Sequence, residues 1–226
     1  MDTDPAQPAL DDARRAAGFL PVAEVTALAP AVRVLDPASV LVGRGVSVLP
    51  GVVLYPSTTL ETRHGGAITV ASGARLGPGS VTVVASAAAV HIGEGAELGP
   101  GPVTIVADGS DVLVGGRARL TAGCLVEGPA RIGAGAQVLG PVSVRDVELE
   151  EGGDHREPDP DHRGGVIKGT GPIRGVRVGV GEVVVGGVVG TGAVDTGGSS
   201  ARPTVERQRR YHPDAPHRPD APHRPS

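Results

Sequence analysis

Residues 114–143 read V-G-G-R-A-R, L-T-A-G-C-L, V-E-G-P-A-R, I-G-A-G-A-Q, V-L-G-P-V-S, and each hexad opens on an aliphatic side chain. Val114, Leu120, Val126, Ile132, Val138 and Val144 therefore keep a six-residue beat. No α-helix explains that beat, because residues six apart on a helix point in widely different directions. A hairpin sheet would need turn signals between longer alternating strands. An antiparallel sandwich with Gly-rich turns is the remaining alternative, and sandwiches do not hold a six-residue register. The beat predicts a coil stacked on itself, each turn contributing the same inward side chain.

Working outward, the beat is already present at Val42, Val48, Leu54 and Leu60. It slips by four residues before Val70 and Leu76, again before Ile92 and Leu98, and once more before Val114. Val48, Val70, Ile92 and Val114 thus stand 22 apart, whereas Val114 and Ile132 stand 18 apart. Three hexads make 18 residues, so one triangular turn takes 18, and longer turns carry four extra residues after the second hexad. Residues 76–86 (LGPGSVTVVAS) and 98–108 (LGPGPVTIVAD) are near copies, which puts the insertion in the same place each time. The architecture with this signature is the hexapeptide parallel β-helix, an all-β solenoid.

The chemistry within a hexad agrees. Two positions before each aliphatic residue lies a second inward column, Ala118, Cys124, Ala130, Ala136 and Val142, continued by Ile68, Val90 and Val112. Strand alternation then turns Thr69, His91 and Leu113 outward. Gly after the aliphatic residue is expected to mark a corner with positive φ, cheap only without a Cβ. Stacked turns would be spaced by roughly 4.8 Å and joined by parallel backbone hydrogen bonds.

Composition bounds the function. The 36 glycines and three aromatic residues, Phe19, Tyr55 and Tyr211, suit a narrow aliphatic core and leave no stacking platform for single-stranded nucleic acid. A net charge of −4 gives no broad attraction to nucleic acid or anionic membranes. Cys124 is the only cysteine, and its inward column makes it a small core residue rather than a nucleophile. Lys168 is the only lysine. With no signal peptide and no continuous apolar span, the expected location is cytoplasmic.

Three regions follow. Residues 1–34 form an N-terminal extension: 1–9 read as disordered, and Asp11-Asp12 before A-R-R-A-A-G opens a short helix closed near Gly18. Residues 35–194 form the solenoid, with E-E-G-G-D-H-R-E-P-D-P-D-H-R-G-G (150–165) as an excursion loop. Alternation returning at Val176, Val178, Val180 and 183–189 is read as a last irregular turn or cap. Residues 195–226, rich in Pro, Arg and His and ending in a tandem D-A-P-H-R-P, read as a disordered tail.

L-D-P-A-S-V (35–40), V-G-R-G-V-S (42–47), V-L-P-G-V-V (48–53) and L-Y-P-S-T-T (54–59) resemble the start of a left-handed β-helix of the hexapeptide-repeat family. They are similar to the acetyltransferase domain of the bifunctional N-acetylglucosamine-1-phosphate uridyltransferases, over roughly 35–149. The resemblance implies left-handed coiling, a homotrimer, and acyl donors such as acetyl-CoA held as co-substrate in grooves between subunits. Counterparts of the uridyltransferase half, of the Asn-Tyr-Asp-Gly segment and of the catalytic His are lacking. The spaced zinc-binding histidines of γ-class carbonic anhydrases are lacking too. The family's active-site residues therefore do not carry over, and any activity has to be argued from this chain's own side chains.

The candidate chemistry lies in D-H-R-E-P-D-P-D-H (154–162). His155 or His162, each with acidic neighbours, would serve as the base that deprotonates an acceptor hydroxyl or amine during attack on a thioester. The same loop also reads as a solvated acidic excursion, and a metal site from both histidines and Asp161 lacks enforced geometry. Arg63 and His64 lie in the first four-residue insertion, where they would meet a phosphate or acceptor, or simply form a turn tip. No metal is expected. Two functions follow. One is CoA-dependent acyl transfer, most plausibly acetyl, to an amino or hydroxyl group of a sugar or sugar nucleotide. The alternative is a non-catalytic scaffold or binding module whose ridge or tail, including E-R-Q-R-R (206–210), engages a partner.

Overall fold

The computed structural model describes residues 6–187 and 204–217. Its core is a parallel β-solenoid with three faces, and the six-residue beat is the reason for each. Face 1 contains Leu41–Val42, Thr58–Arg63, Val81–Ser86 and Val103–Asp108 in parallel register. Face 2 contains Val46–Val48, Ala67–Val70, Ala89–Ile92 and Val112–Val114. Face 3 starts at Arg33–Val34 and runs through Val53–Leu54, Arg75–Leu76, Glu97–Leu98, Arg119–Thr121, Gln137–Leu139, Val166–Gly169 and Glu182–Gly186.

Every rung repeats the inward residue of the rung before it. Val48, Val70, Ile92, Val114, Ile132, Leu149 and Val178 form the ladder of face 2. Leu54, Leu76, Leu98, Leu120, Val138, Ile167 and Val184 form that of face 3, each with 0 % of its surface exposed. The second inward column is buried as well, from Ile68, Val90 and Val112 to Ala118, Cys124, Ala130, Ala136 and Val142. Full burial of one such side chain stabilises by about 1.5–3 kcal/mol, and the ladders carry the fold.

The four-residue insertion lies between faces 1 and 2. It lengthens the face-1 strands to six residues and adds a tip at His64, Ala87 and Gly109, with φ of 49°, 47° and 61°. Where the insertion stops, Cys124–Ile132 runs unbroken around the corner and joins the two faces into one sheet.

The corner glycines meet one expectation only in part: Gly77 and Gly99, directly after Leu76 and Leu98, have φ of 114° and 121°. Gly93 and Gly133, each directly after an aliphatic residue, are not at positive φ; positive φ falls two residues later, at Gly95 (64°) and Gly135 (71°). What excludes a side chain at Gly93 is the next rung, because a Cβ would lie 2.5 Å from the Gly116 nitrogen. Close stacking of backbones, not chain direction, selects glycine there.

Both ends of the coil are elaborated. The first helix, α1, spans Ala6–Ala16, so it starts before Asp11 and takes in residues read as disordered. Phe19 follows it, then α2 (Val22–Thr26), which buries Val25 completely. Arg14, only 5 % exposed, donates from its guanidinium to the carbonyls of Pro37 and Ala38 and ties α1 to the first turn. No described helix is long and apolar enough to cross a membrane.

At the other end, Gly171–Val178 and Glu182–Gly186 complete the coil as an ordinary rung. Val205–Arg207 then pairs antiparallel with Glu182–Gly186, and a 3-10 turn follows at Gln208–Tyr211. Residues 204–217 therefore differ from the disorder expected for 195–226. Their composition is polar, but the exposed sheet edge supplies backbone partners and the excursion loop supplies carboxylates. The second D-A-P-H-R-P copy (220–225) lies outside the described residues.

Candidate functional site

Two segments leave the coil and meet over face 3. The excursion loop 150–165 lengthens one turn, so that Val138 pairs with Ile167 instead of a residue 18 further on. Gly153 bridges to Arg163, and Asp159 caps the 3-10 turn Pro160–His162 by accepting from the Asp161 N–H at 3.1 Å. Arg163 Nε donates to the Glu157 carbonyl at 2.6 Å. Toward the coil, Asp154 faces Arg117 at 3.8 Å and Arg156 faces Glu97 at 3.6 Å. The charged loop is thus pinned by its own turns and by the neighbouring rungs.

The C-terminal segment 204–217 is fastened to that loop. Gln208, 5 % exposed, donates its amide to the Gly164 carbonyl at 2.8 Å and the Glu182 carbonyl at 3.0 Å. Arg209 Nε donates to Asp161 Oδ2 at 2.5 Å, and its Nη2 donates to the buried Asp159. Tyr211 donates its hydroxyl to Glu206 at 2.6 Å and spreads its ring under Lys168, whose Nζ is 3.4 Å from the ring centroid.

Between loop, segment and coil lies a cavity of ≈ 260 Å³. Its floor is the outward side of face 3, with Arg119, Gln137 and Lys168; His155 comes from the loop and Tyr211 from the C-terminal segment. Burial lowers the pKa of the Lys168 ammonium, with Glu206 opposing the shift. The hydrogen bond to Glu206 raises that of Tyr211. A base, a shielded lysine and a phenol around one hollow can bind a small polar molecule and take a proton from it.

A larger groove of ≈ 500 Å³ runs along face 2, past Leu113, Arg131, Glu148 and Arg177. Arg177 Nη2 donates to Glu148 at 2.5 Å there, and the groove's described lining includes no histidine. The chemistry therefore concentrates on face 3.

The structure separates the residues singled out from sequence. His155 lines the face-3 cavity. His162 is two-fifths or more exposed and directs Nε2 toward Asp159 at 3.8 Å, outside the cavity lining. Arg63 and His64 sit at the corner of faces 1 and 2. His64 Nδ1 is 3.1 Å from Ser86 Oγ, and Arg63 is held by Glu61, which raises its pKa. His91 faces outward beside a smaller hollow on face 2. Asp161 meets Arg209 and, at 4.0 Å, His217. The oxygens of Asp159 and Asp161 and a His217 nitrogen lie within 4.8 Å of one another, but the Arg209 guanidinium already bridges both carboxylates. Cys124 is buried, which pushes its thiol up to about 12, as a core residue requires.

Sequence reading missed Arg119, Lys168 and Tyr211. Lys168 had one available signal, as the sole lysine of the chain, and Tyr211 another, as one of two tyrosines set beside the arginines of 207–210. Compared with known proteins, the chain matches no family model and no curated relative.

Proposed function

We propose that this β-helix transfers an acyl group, in the first instance acetyl, from a CoA thioester to a hydroxyl or amino group of a sugar or sugar nucleotide, in the face-3 cavity. The observation that carries the reading is the position of His155, on an anchored loop at the wall of a small cavity that also presents Arg119, Lys168 and Tyr211. In the proposed step, the His155 imidazole takes the proton of the acceptor O–H or N–H as that atom attacks the thioester carbonyl. The tetrahedral intermediate expels the CoA thiolate, which receives a proton and leaves as the thiol. Holding the acceptor against the base makes the proton transfer intramolecular, the main advantage a rigid coil offers.

The same proposal includes a homotrimer whose intersubunit groove receives the pantetheine arm. Half-buried Val84, Val106 and Leu125 point outward from face 1 and offer an apolar stretch for a second copy.

The test is release of CoA thiol from acetyl-CoA with a panel of amino and hydroxyl sugars. Wild type should turn over one of them, and His155→Ala should lose 10²–10⁴-fold, roughly the range for a general base. Variants His155→Ala and His162→Ala that both turn over like wild type would overturn the assignment. A folded chain that never consumes acetyl-CoA would leave the scaffold reading.

A further inference from the structure

We infer that the face-3 cavity takes an anionic group of its ligand, a phosphate or a carboxylate, between Arg119 on the coil and Lys168 held against Tyr211. The inference rests on reading this cavity as the acceptor site, and it adds the charge class of that acceptor.

The first support is the sign of the lining. Arg119, Arg163 and Lys168 border the cavity together with His155 and His212, and no carboxylate is among its described lining residues. A chain with a net charge of −4 has gathered its only lysine and two arginines around one hollow. Cations drawn together in a partly desolvated site repel one another and lose hydration, a cost that a bound anion offsets.

The second support is incomplete pairing. The nearest carboxylates pair these cations only in part: Glu97 Oε2 faces Arg119 Nε at 3.9 Å, beyond hydrogen-bond reach, and Glu97 Oε1 faces Arg156 at 3.6 Å. Glu206, whose charge also acts on Lys168, makes its hydrogen bonds to Tyr211 Oη and Arg210 Nη1, both at 2.6 Å. Arg119 Nε is buried and has no hydrogen-bond partner among the described residues. A buried guanidinium nitrogen whose facing carboxylate stands beyond hydrogen-bond reach is unusual, because such groups are nearly always satisfied.

The third support is preorganisation. The Tyr211 ring holds the Lys168 ammonium from one side at 3.4 Å, which restricts a flexible side chain before a ligand arrives. The volume, ≈ 260 Å³, lies below the roughly 300–1,000 Å³ usual for drug-sized ligands, so it suits a single small head group.

The experiment is calorimetric titration of the full chain at low ionic strength with three hexoses: glucose 6-phosphate, glucuronate and uncharged glucose. The expected result is saturable binding of at least one anionic hexose at one site per chain, with glucose at least about tenfold weaker. The stronger of the two anions identifies phosphate or carboxylate as the charge source. Arg119→Gln with Lys168→Gln should weaken that binding at least tenfold; if the double variant fails to fold, Lys168→Gln alone should weaken it at least threefold. Equal binding of glucose and both anions, no binding of either anion by the folded chain, or unchanged affinity in the folded variants would overturn the inference. Anion binding without any acetyl-CoA consumption would sink the acyl-transfer reading alone. Turnover of uncharged sugars only would sink the anion alone.

Discussion

Arg209 Nε reaches back 48 residues to Asp161 Oδ2, at 2.5 Å, and the same guanidinium bonds Asp159, of which 2 % is exposed. This clasp binds the C-terminal segment to the excursion loop, and so sets two walls of the face-3 cavity against each other. Arg suits the position because its planar fork bonds two carboxylates at once.

Arg209→Ala removes one charged partner of the buried Asp159, which keeps the Asp161 N–H and the facing His162, so the expected cost is about 1–3 kcal/mol. The expected loss is local, because the aliphatic ladders do not depend on the clasp. Hydrogen exchange should quicken in 204–212 and 153–164 while the amides of face 2 keep their protection. Uniform loss of protection through the coil would contradict this division.

Leu98 and Leu113 separate inward from outward positions. Leu98 is fully buried between Leu76 and Leu120, and Leu113 is 40 % exposed on face 2. In denaturant unfolding, Leu98→Ala should cost about 2–5 kcal/mol. Leu113→Ala should stay within about 0.5 kcal/mol, the usual range for surface changes. Similar losses from both would contradict the register.

Gly93 and Gly109 separate close stacking from chain direction. A Cβ at Gly93 would meet the Gly116 nitrogen at 2.5 Å, and backbone cannot move aside without shifting the rung. Gly109 has φ of 61° and nothing within 4 Å of its Cβ position. Gly93→Ala should cost about 3 kcal/mol, as for an overpacked core, whereas Gly109→Ala should cost about 1 kcal/mol of left-handed strain. Melting temperatures of the two variants check the order.

Cys124 carries a pH dependence whose sign is determined. Burial raises its thiol from 9.0 to about 12 in the folded chain, so the unfolded chain ionises first as pH rises. Stability is fully present below pH 9 and falls as pH approaches 12, by up to about 1.4 kcal/mol per pH unit from this group. In urea titrations from pH 8 to 11, Cys124→Ala should show the flatter decline. Parallel curves would mean that the thiol reaches solvent.

The ladders were legible because the interior asks the same question of every turn. Val70, Ile92 and Val114 answer it identically, and the period survives even where four residues are inserted. The cavity was not legible, since outward positions obey no such repeat: Arg119, Gln137 and Lys168 share a face only once the rungs are stacked. His155 and His162 look equivalent in an acidic loop. They part because the 3-10 turn Pro160–His162 directs one toward Asp159, while the other lines the cavity. The C-terminal segment misled by composition, because neither the exposed edge of Glu182–Gly186 nor the carboxylates awaiting Arg209 are written near residues 204–217.

The most direct test of the account is calorimetric titration of the full chain with acetyl-CoA and with free CoA, with mass followed by light scattering. Acyl transfer on a trimeric coil predicts saturable binding at one site per chain in a particle of three chains. No heat from either ligand, in a chain that still melts cooperatively, would contradict it.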